Sequence, residues 1–145
     1  MPTRKASAKW EGGLKGGKGT FKGESGAIGG QYSFSSRFEE GVGSNPEELL
    51  AAAEAACFSM ALSGDLEKNG TPPTSVDTQA ACTVSPLQGG GFEIKSIKLN
   101  VTAAVPGIDD AKFQEIANGT LVGCPVSKTF KGNVEITMEA KLAGG

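Results

Sequence analysis

The spacing of apolar residues changes several times along this 145-residue chain, and each change marks the edge of an element. Residues 5–10, 18–22 and 31–38 carry short β-type runs between glycine-containing turns, which predicts a small antiparallel meander. The rhythm breaks at Ser44-Asn45-Pro46-Glu47-Glu48, a helix start. Asn45 stands at the cap, Pro46 has no N–H to lose at the first helical position, and Glu48 is spaced to complete a capping box. A long helix is predicted from there to about Lys68, stopped by Asn69-Gly70 and Pro72-Pro73. Alternation returns over 74–84, with Val76, Thr78, Ala80, Cys82 and Val84 on one face. A hairpin through Gln88-Gly89-Gly90-Gly91 leads to a strand over 92–105 carrying Ile94, Ile97, Leu99 and Val101. Pro106-Gly107 breaks that strand, Asp109-Asp110 open a helix toward Ala117, residues 119–123 read as loop or continued helix, and a last strand covers 133–142. Strands, helix, strands, helix, strand is the order of an α+β fold, not of a βαβ alternation.

The long helix has almost no polar face in its first half: Leu49, Leu50, Ala51, Ala52, Ala53, Ala55, Ala56, Phe58, Met60, Ala61 and Leu62 are all apolar. Such a helix is expected to be buried nearly all round. A domain of this size has little material to surround it, so a second copy of the chain is the simplest supplier, and a homodimer is expected.

Length fits a single domain over 1–145. The net charge is −2, and the 14 Lys and Arg are spread along the chain, so no nucleic-acid footprint is present. The N-terminus carries charges but no apolar segment of signal-peptide length follows, and no run of about 18 apolar residues occurs, which predicts a soluble cytoplasmic protein with no membrane partner. Three cysteines do not make a secreted disulfide framework and suit a reducing compartment. There Asn69-Gly70-Thr71 and Asn118-Gly119-Thr120 read as turn chemistry rather than glycosylation sites. The composition contains no histidine, which excludes Ser-His-Asp hydrolysis, Cys-His proteolysis and His-ligated zinc. Thiol chemistry moves to the front.

Gly12 to Gly19 nearly spells a phosphate loop, but Gly19 stands where Ser or Thr should bind magnesium, and a strand follows instead of a helix. Cys57, taken alone, reads as a small buried hydrophobe, and it lies too far into the long helix for the helix dipole to lower its pKa. If it is reactive, a cation must do that work. Cys124 precedes Pro125, which opens a short helix whose backbone N–H groups favour a thiolate; a capping or turn role is its alternative. Cys82 lies on the apolar face of a strand and reads as structural.

Taken together, SRFEEGVGSNPEELLAAAEAACFSMAL and GCPVSK, with AKWEGGLKGGKGTFKGESG, TPPTSVDTQA and VPGID, span nearly the whole chain, and they resemble the OsmC/Ohr family of hydroperoxide-reducing enzymes, the OsmC branch most closely. The resemblance implies an OsmC-like fold, with antiparallel sheets around long central helices in an intertwined homodimer. It implies Cys57 as peroxidatic cysteine, Cys124 as resolving cysteine, Arg37 as the cation that organises the thiolate, and Glu47 as the carboxylate that orients Arg37. The implied substrate is an organic hydroperoxide, with hydrogen peroxide a weaker one. The implied reductant is an external dithiol, a dihydrolipoyl group or small dithiol, and no metal, flavin or haem is required. Glu54 stands where the family carries a small residue or His, and at three residues from Cys57 it reads as a charge facing solvent or a partner. Leu50, Phe58 and Met60 are candidates to line an alkyl-peroxide pocket. A non-catalytic dimeric redox switch or binding protein, and a purely structural domain, are the competing readings.

Helix geometry constrains the site further. Glu47 and Cys57 are ten residues apart on one helix, so their backbones lie about 15 Å apart along its axis and the side chains cannot meet. If Glu47 serves a Cys57, it is expected to serve the partner's, across antiparallel central helices.

Overall fold

Glycine turns return the first three strands on one another. In the computed structural model, which describes residues 1–144, β1 (Ala6–Glu11), β2 (Lys18–Gly23) and β3 (Gly29–Tyr32) form an antiparallel sheet in the order β1-β2-β3. Gly19 has a packing reason to be glycine: a Cβ there would lie 2.4 Å from the Tyr32 ring, which itself packs on Trp10 with ring centroids 5.4 Å apart. The near-phosphate loop is therefore a turn shaped by aromatic packing. The expected third strand is cut short at Tyr32, and α1 (Phe34–Phe38) follows. Ser33 and Ser36 form a reciprocal capping box at its start, which satisfies two backbone donors and outweighs the β character of Phe34 and Phe38.

The chain divides into two compact units, Met1–Leu49 and Leu50–Gly145, and α2 (Pro46–Lys68) begins in the first and continues through the second. At its start the Glu48 N–H donates to Asn45 Oδ1 at 2.8 Å, as the sequence predicts. The reciprocal half of the box differs: the Glu48 carboxylate accepts instead from the Ser44 hydroxyl at 2.5 Å. Its end is also as expected, with Gly70 at φ +82° in the turn beyond Lys68.

In the second unit β4 (Ser75–Pro86) and β5 (Phe92–Ala104) form the expected hairpin. Ile94 and Ile97 share a face although three residues apart, because a bulge at Thr83/Val84 leaves Lys95 without an opposite number. β6 (Glu135–Leu142) pairs with β5 in parallel, so this sheet, of order β4-β5-β6, is not wholly antiparallel. A parallel pair needs a long crossover, and α3 (Asp110–Gly123) with α4 (Pro125–Phe130) supplies it. The open question at 119–123 resolves as helix: Asn118-Gly119-Thr120 lies inside α3 and is not a turn.

The core of this unit sits between the sheet and the helices. Ile97, Leu99, Val101 and Ala103 of β5 pack with Phe58, Leu62 and Leu66 of α2 and with Phe113 and Ala117 of α3, all buried. Burying each large side chain contributes about 1.5–3 kcal/mol. Thr120 and Asp65 tie α3 to α2: the Thr120 hydroxyl donates to Asp65 Oδ2 at 2.8 Å, and with Lys68 nearby it holds the Asp65 carboxyl below its usual pKa.

The all-round burial expected of α2 is not what one chain provides. Phe58, Leu62 and Leu66 form its buried stripe, while Ala52, Ala53, Ala56 and Met60 are exposed, Met60 at 78%. By length and composition α2 would also suffice to cross a membrane, at mean hydropathy 1.3, but its stripe belongs to the core just described.

Candidate active site

Arg37 and Glu47 meet within the first unit. Arg37 projects from the short helix α1, and Glu47 sits in the first turn of α2, where the helix dipole favours a carboxylate. The segment between them is pinned: Ser36 Oγ donates to Ser44 O at 2.7 Å, and Asn45 Nδ2 donates to Ser36 O at 3.0 Å. The guanidinium then forks onto the carboxylate, with Nη2 to Oε1 at 2.8 Å and Nε to Oε1 at 3.0 Å. Glu47 is almost wholly buried while the Arg37 side chain keeps 35% of its surface. A planar fork held from one edge keeps its other edge for a ligand, which a lysine could not do. Arg37 also borders an apolar concavity of about 250 Å³ in this unit, lined by Trp10, Leu14, Tyr32, Phe34 and Phe38.

Cys57 and Cys124 meet within the second unit. Cys57 lies on α2 next to the buried stripe, about 100° round the helix from Phe58. Cys124 ends α3 and begins α4, a junction set by Pro125 at the first position of α4. The two sulfurs are 3.1 Å apart as thiols, Cys124 buried and Cys57 partly exposed. Burial foremost, then the adjacent Cys124 thiol and the Glu54 carboxylate, push the Cys57 thiol above its ordinary pKa. The Val126 backbone N–H, in the first turn of α4, acts the other way by hydrogen bonding to the sulfur. Cys82 lies on β4 against the edge of the core.

Glu54 does not face solvent or a partner; it is fully buried. The stripe that continues as Phe58, Leu62 and Leu66 passes through position 54, and the four-residue spacing carries the signal that the i−3 relation to Cys57 concealed. Its Oε1 accepts a hydrogen bond from the Ser127 hydroxyl of α4, while Oε2 is buried with no partner among the described residues. An unsatisfied buried polar atom costs about 1–3 kcal/mol. Ser127, which the sequence reading did not single out, lies three residues after Cys124 as Glu54 lies three before Cys57. Of the three candidates for an alkyl-peroxide pocket, Phe58 belongs to the core, Leu50 is half-buried and Met60 lies on the open face of α2. Among the described residues no group of three or more His, Cys, Asp or Glu is placed to hold a metal ion.

The model of the family described as OsmC-like protein matches residues 39–139, more than half of the chain. The chain belongs to the OsmC family. This OsmC-family protein is 48% identical over 140 residues to Peroxiredoxin OsmC of Escherichia coli strain K12, covering 96% of each chain. It is 35% identical over 105 residues to the organic hydroperoxide resistance protein OhrB of Bacillus subtilis, covering 69% of this chain and 71% of that one. The crystal structure of OhrB of Bacillus subtilis superimposes with a TM-score of 0.74 at 27% identity, over 94% of this chain and 98% of that one.

Proposed function

We propose that this OsmC-family protein is a thiol-dependent peroxidase that reduces organic hydroperoxides, and hydrogen peroxide more weakly, to alcohols. The observation that carries the reading is the 3.1 Å approach of the Cys57 and Cys124 sulfurs. They need to close by only about 1 Å to reach disulfide length. The names of the relatives, a peroxiredoxin and a hydroperoxide resistance protein, favour the same chemistry. The Cys57 thiolate attacks the distal oxygen of ROOH, the O–O bond breaks, ROH leaves, and a sulfenic acid remains on Cys57. Cys124 condenses with it to a disulfide and water, and an external dithiol restores both thiols by exchange. We assign that reductant to the dihydrolipoyl class and the compartment to the cytoplasm, where free thiols persist.

The surroundings of Cys57 within its own unit hold the thiol protonated, so a cation has to come from elsewhere. Arg37, oriented by Glu47, is the candidate, and the span along α2 favours its serving the partner's Cys57 in a homodimer joined over the open Ala52, Ala56 and Met60 face. In this reading residues 1–145 act as one functional domain only when paired. Thiolate formation is not the whole of the role of Arg37. Lowering a thiol pKa from about 8.5 to about 5.5 raises the thiolate fraction at pH 7 roughly 30-fold. A Brønsted coefficient near 0.45 costs about 20-fold in nucleophilicity. The two nearly cancel, so Arg37 contributes mainly by holding the peroxide and stabilising the leaving oxygen.

The test is turnover of cumene hydroperoxide with dihydrolipoamide against thioredoxin, for the wild type and Cys57→Ser. Turnover with dihydrolipoamide that Cys57→Ser abolishes is expected. A disulfide that forms once, without turnover under excess dithiol, would make the protein a redox switch instead.

A further inference from the structure

The peroxidase reading uses Cys57 and Cys124 but gives no work to the buried carboxylate beside them. Glu54 and Cys57 are three residues apart on α2, and Cys124 and Ser127 are three apart across the start of α4, so each pair shares a face. The two faces meet in register, thiol against thiol and the Glu54 carboxylate against the Ser127 hydroxyl. Glu54 also occupies the position where the Phe58, Leu62 and Leu66 stripe would accept an apolar side chain, and it keeps one oxygen without a partner. A residue chosen for fold stability would not be a half-satisfied acid there.

From this juxtaposition we infer that Glu54, through Ser127, is a positioning residue of the resolving step, docking the Cys124-bearing turn onto α2 so that Cys124 captures the Cys57 sulfenic acid before a second peroxide does. The step is Cys57–SOH + HS–Cys124 giving the disulfide and water. The S–S bond forms, the S–O bond breaks, and the hydroxyl group leaves with the Cys124 proton. The Cys57 sulfur is reduced and the Cys124 sulfur oxidised. When docking fails, the competing fate of the sulfenic acid is oxidation to sulfinic acid, which this dithiol cycle does not reverse. The inference rests on the peroxidase reading, and two measurements separate their failures.

Burial and the Cys124 thiol raise the Cys57 thiol more than Glu54 does, so removing the Glu54 carboxylate should leave the first oxidation as fast or slightly faster while resolution slows. A merely structural role would slow both. The experiment treats reduced full-length wild type, Glu54→Leu, Glu54→Gln and Ser127→Ala with cumene hydroperoxide and no reductant. It follows Cys57 thiol loss by stopped sampling and the disulfide, sulfinic acid and dimedone-adduct fractions by mass spectrometry. For Glu54→Leu we expect undiminished thiol loss and a ratio of sulfinic acid plus adduct to disulfide raised about tenfold, within the range over which misplaced reactants lose rate. Ser127→Ala should shift the ratio the same way. Glu54→Gln, whose amide oxygen can still accept from Ser127, should restore it toward wild type. Disulfide yields equal to wild type in Glu54→Leu and Ser127→Ala overturn the inference. Should Glu54→Leu not fold, the Ser127→Ala and Glu54→Gln arms decide alone, by a raised ratio in the first and a restored one in the second. Wild-type Cys57 that peroxide does not oxidise overturns the peroxidase reading, and the inference with it.

Discussion

In the proposed mechanism the two units hold opposite halves of a chemistry. Within Leu50–Gly145 two sulfurs stand 3.1 Å apart, in surroundings that push the Cys57 thiol upward; within Met1–Leu49 a guanidinium is gripped by a carboxylate beside an aromatic concavity. The first assembly can close a disulfide but is poorly set to start one. The second can hold an anion or a peroxide but has no thiol of its own, since no cysteine lies within residues 1–49. Each is held by local means, a pinned loop in one case and a Pro-started helix in the other. Rigid positioning is therefore present in both before any substrate arrives.

The largest effect should come from blunting the fork. Arg37→Lys keeps the charge but cannot grip Glu47 and a ligand together, and it should lower kcat/KM for cumene hydroperoxide by about 10²-fold or more. Its melting temperature should stay within a few degrees of wild type; near-normal kinetics would remove Arg37 from the mechanism.

Mixing the halves sharpens the comparison next. Neither Cys57→Ser nor Arg37→Lys should turn over well alone. In a cross-chain arrangement their heterodimer contains one complete site, and purified differentially tagged heterodimer should recover about half the wild-type activity. A site built within one chain predicts no recovery.

A smaller effect concerns pH. A raised Cys57 pKa means that the thiol is protonated at neutral pH and becomes reactive only as pH climbs through the raised value. A partner's Arg37 should bring that midpoint down. Met60→Glu, which puts a charge on the open face of α2, should weaken self-association about tenfold or more. It should also move the midpoint of Cys57 alkylation upward relative to wild type. Identical alkylation profiles, with sedimentation showing dimer in one and monomer in the other, would break the link between pairing and activation.

The smallest effect lies away from the sulfurs. Asp65 has a depressed pKa in the folded state, from the Thr120 hydroxyl first and then Lys68. Its contribution is present above the unfolded carboxyl pKa and disappears as pH falls through the folded one. Asp65→Asn should cost about 1 kcal/mol at pH 7, about 2–4 °C in melting temperature, and progressively less under acid. An equal cost at pH 7 and pH 3 would show that packing, not the carboxylate, is responsible.

Much of the fold could be read locally, because caps, glycine turns and alternation act over a few residues. The start and end of α2, the inward face of β4 and the Pro-started helix after Cys124 are examples. α1 was legible in principle, since Ser33 and Ser36 carry its capping box, but five residues with two phenylalanines also suit a strand. The parallel pairing of β6 was not legible, because alternation gives a strand its two faces without giving its direction.

For the candidate site, the residue types alone brought two cysteines forward in a chain without histidine, and their surrounding motifs named Arg37 and Glu47. Tertiary structure alone decided that Glu54 turns inward to Ser127, that Cys57 and Cys124 meet, and that Ala52, Ala56 and Met60 stay open. The reason is physical. A sequence specifies which face of a helix each side chain occupies, but whether that face meets core, water or another chain depends on segments distant in sequence, brought close only by folding.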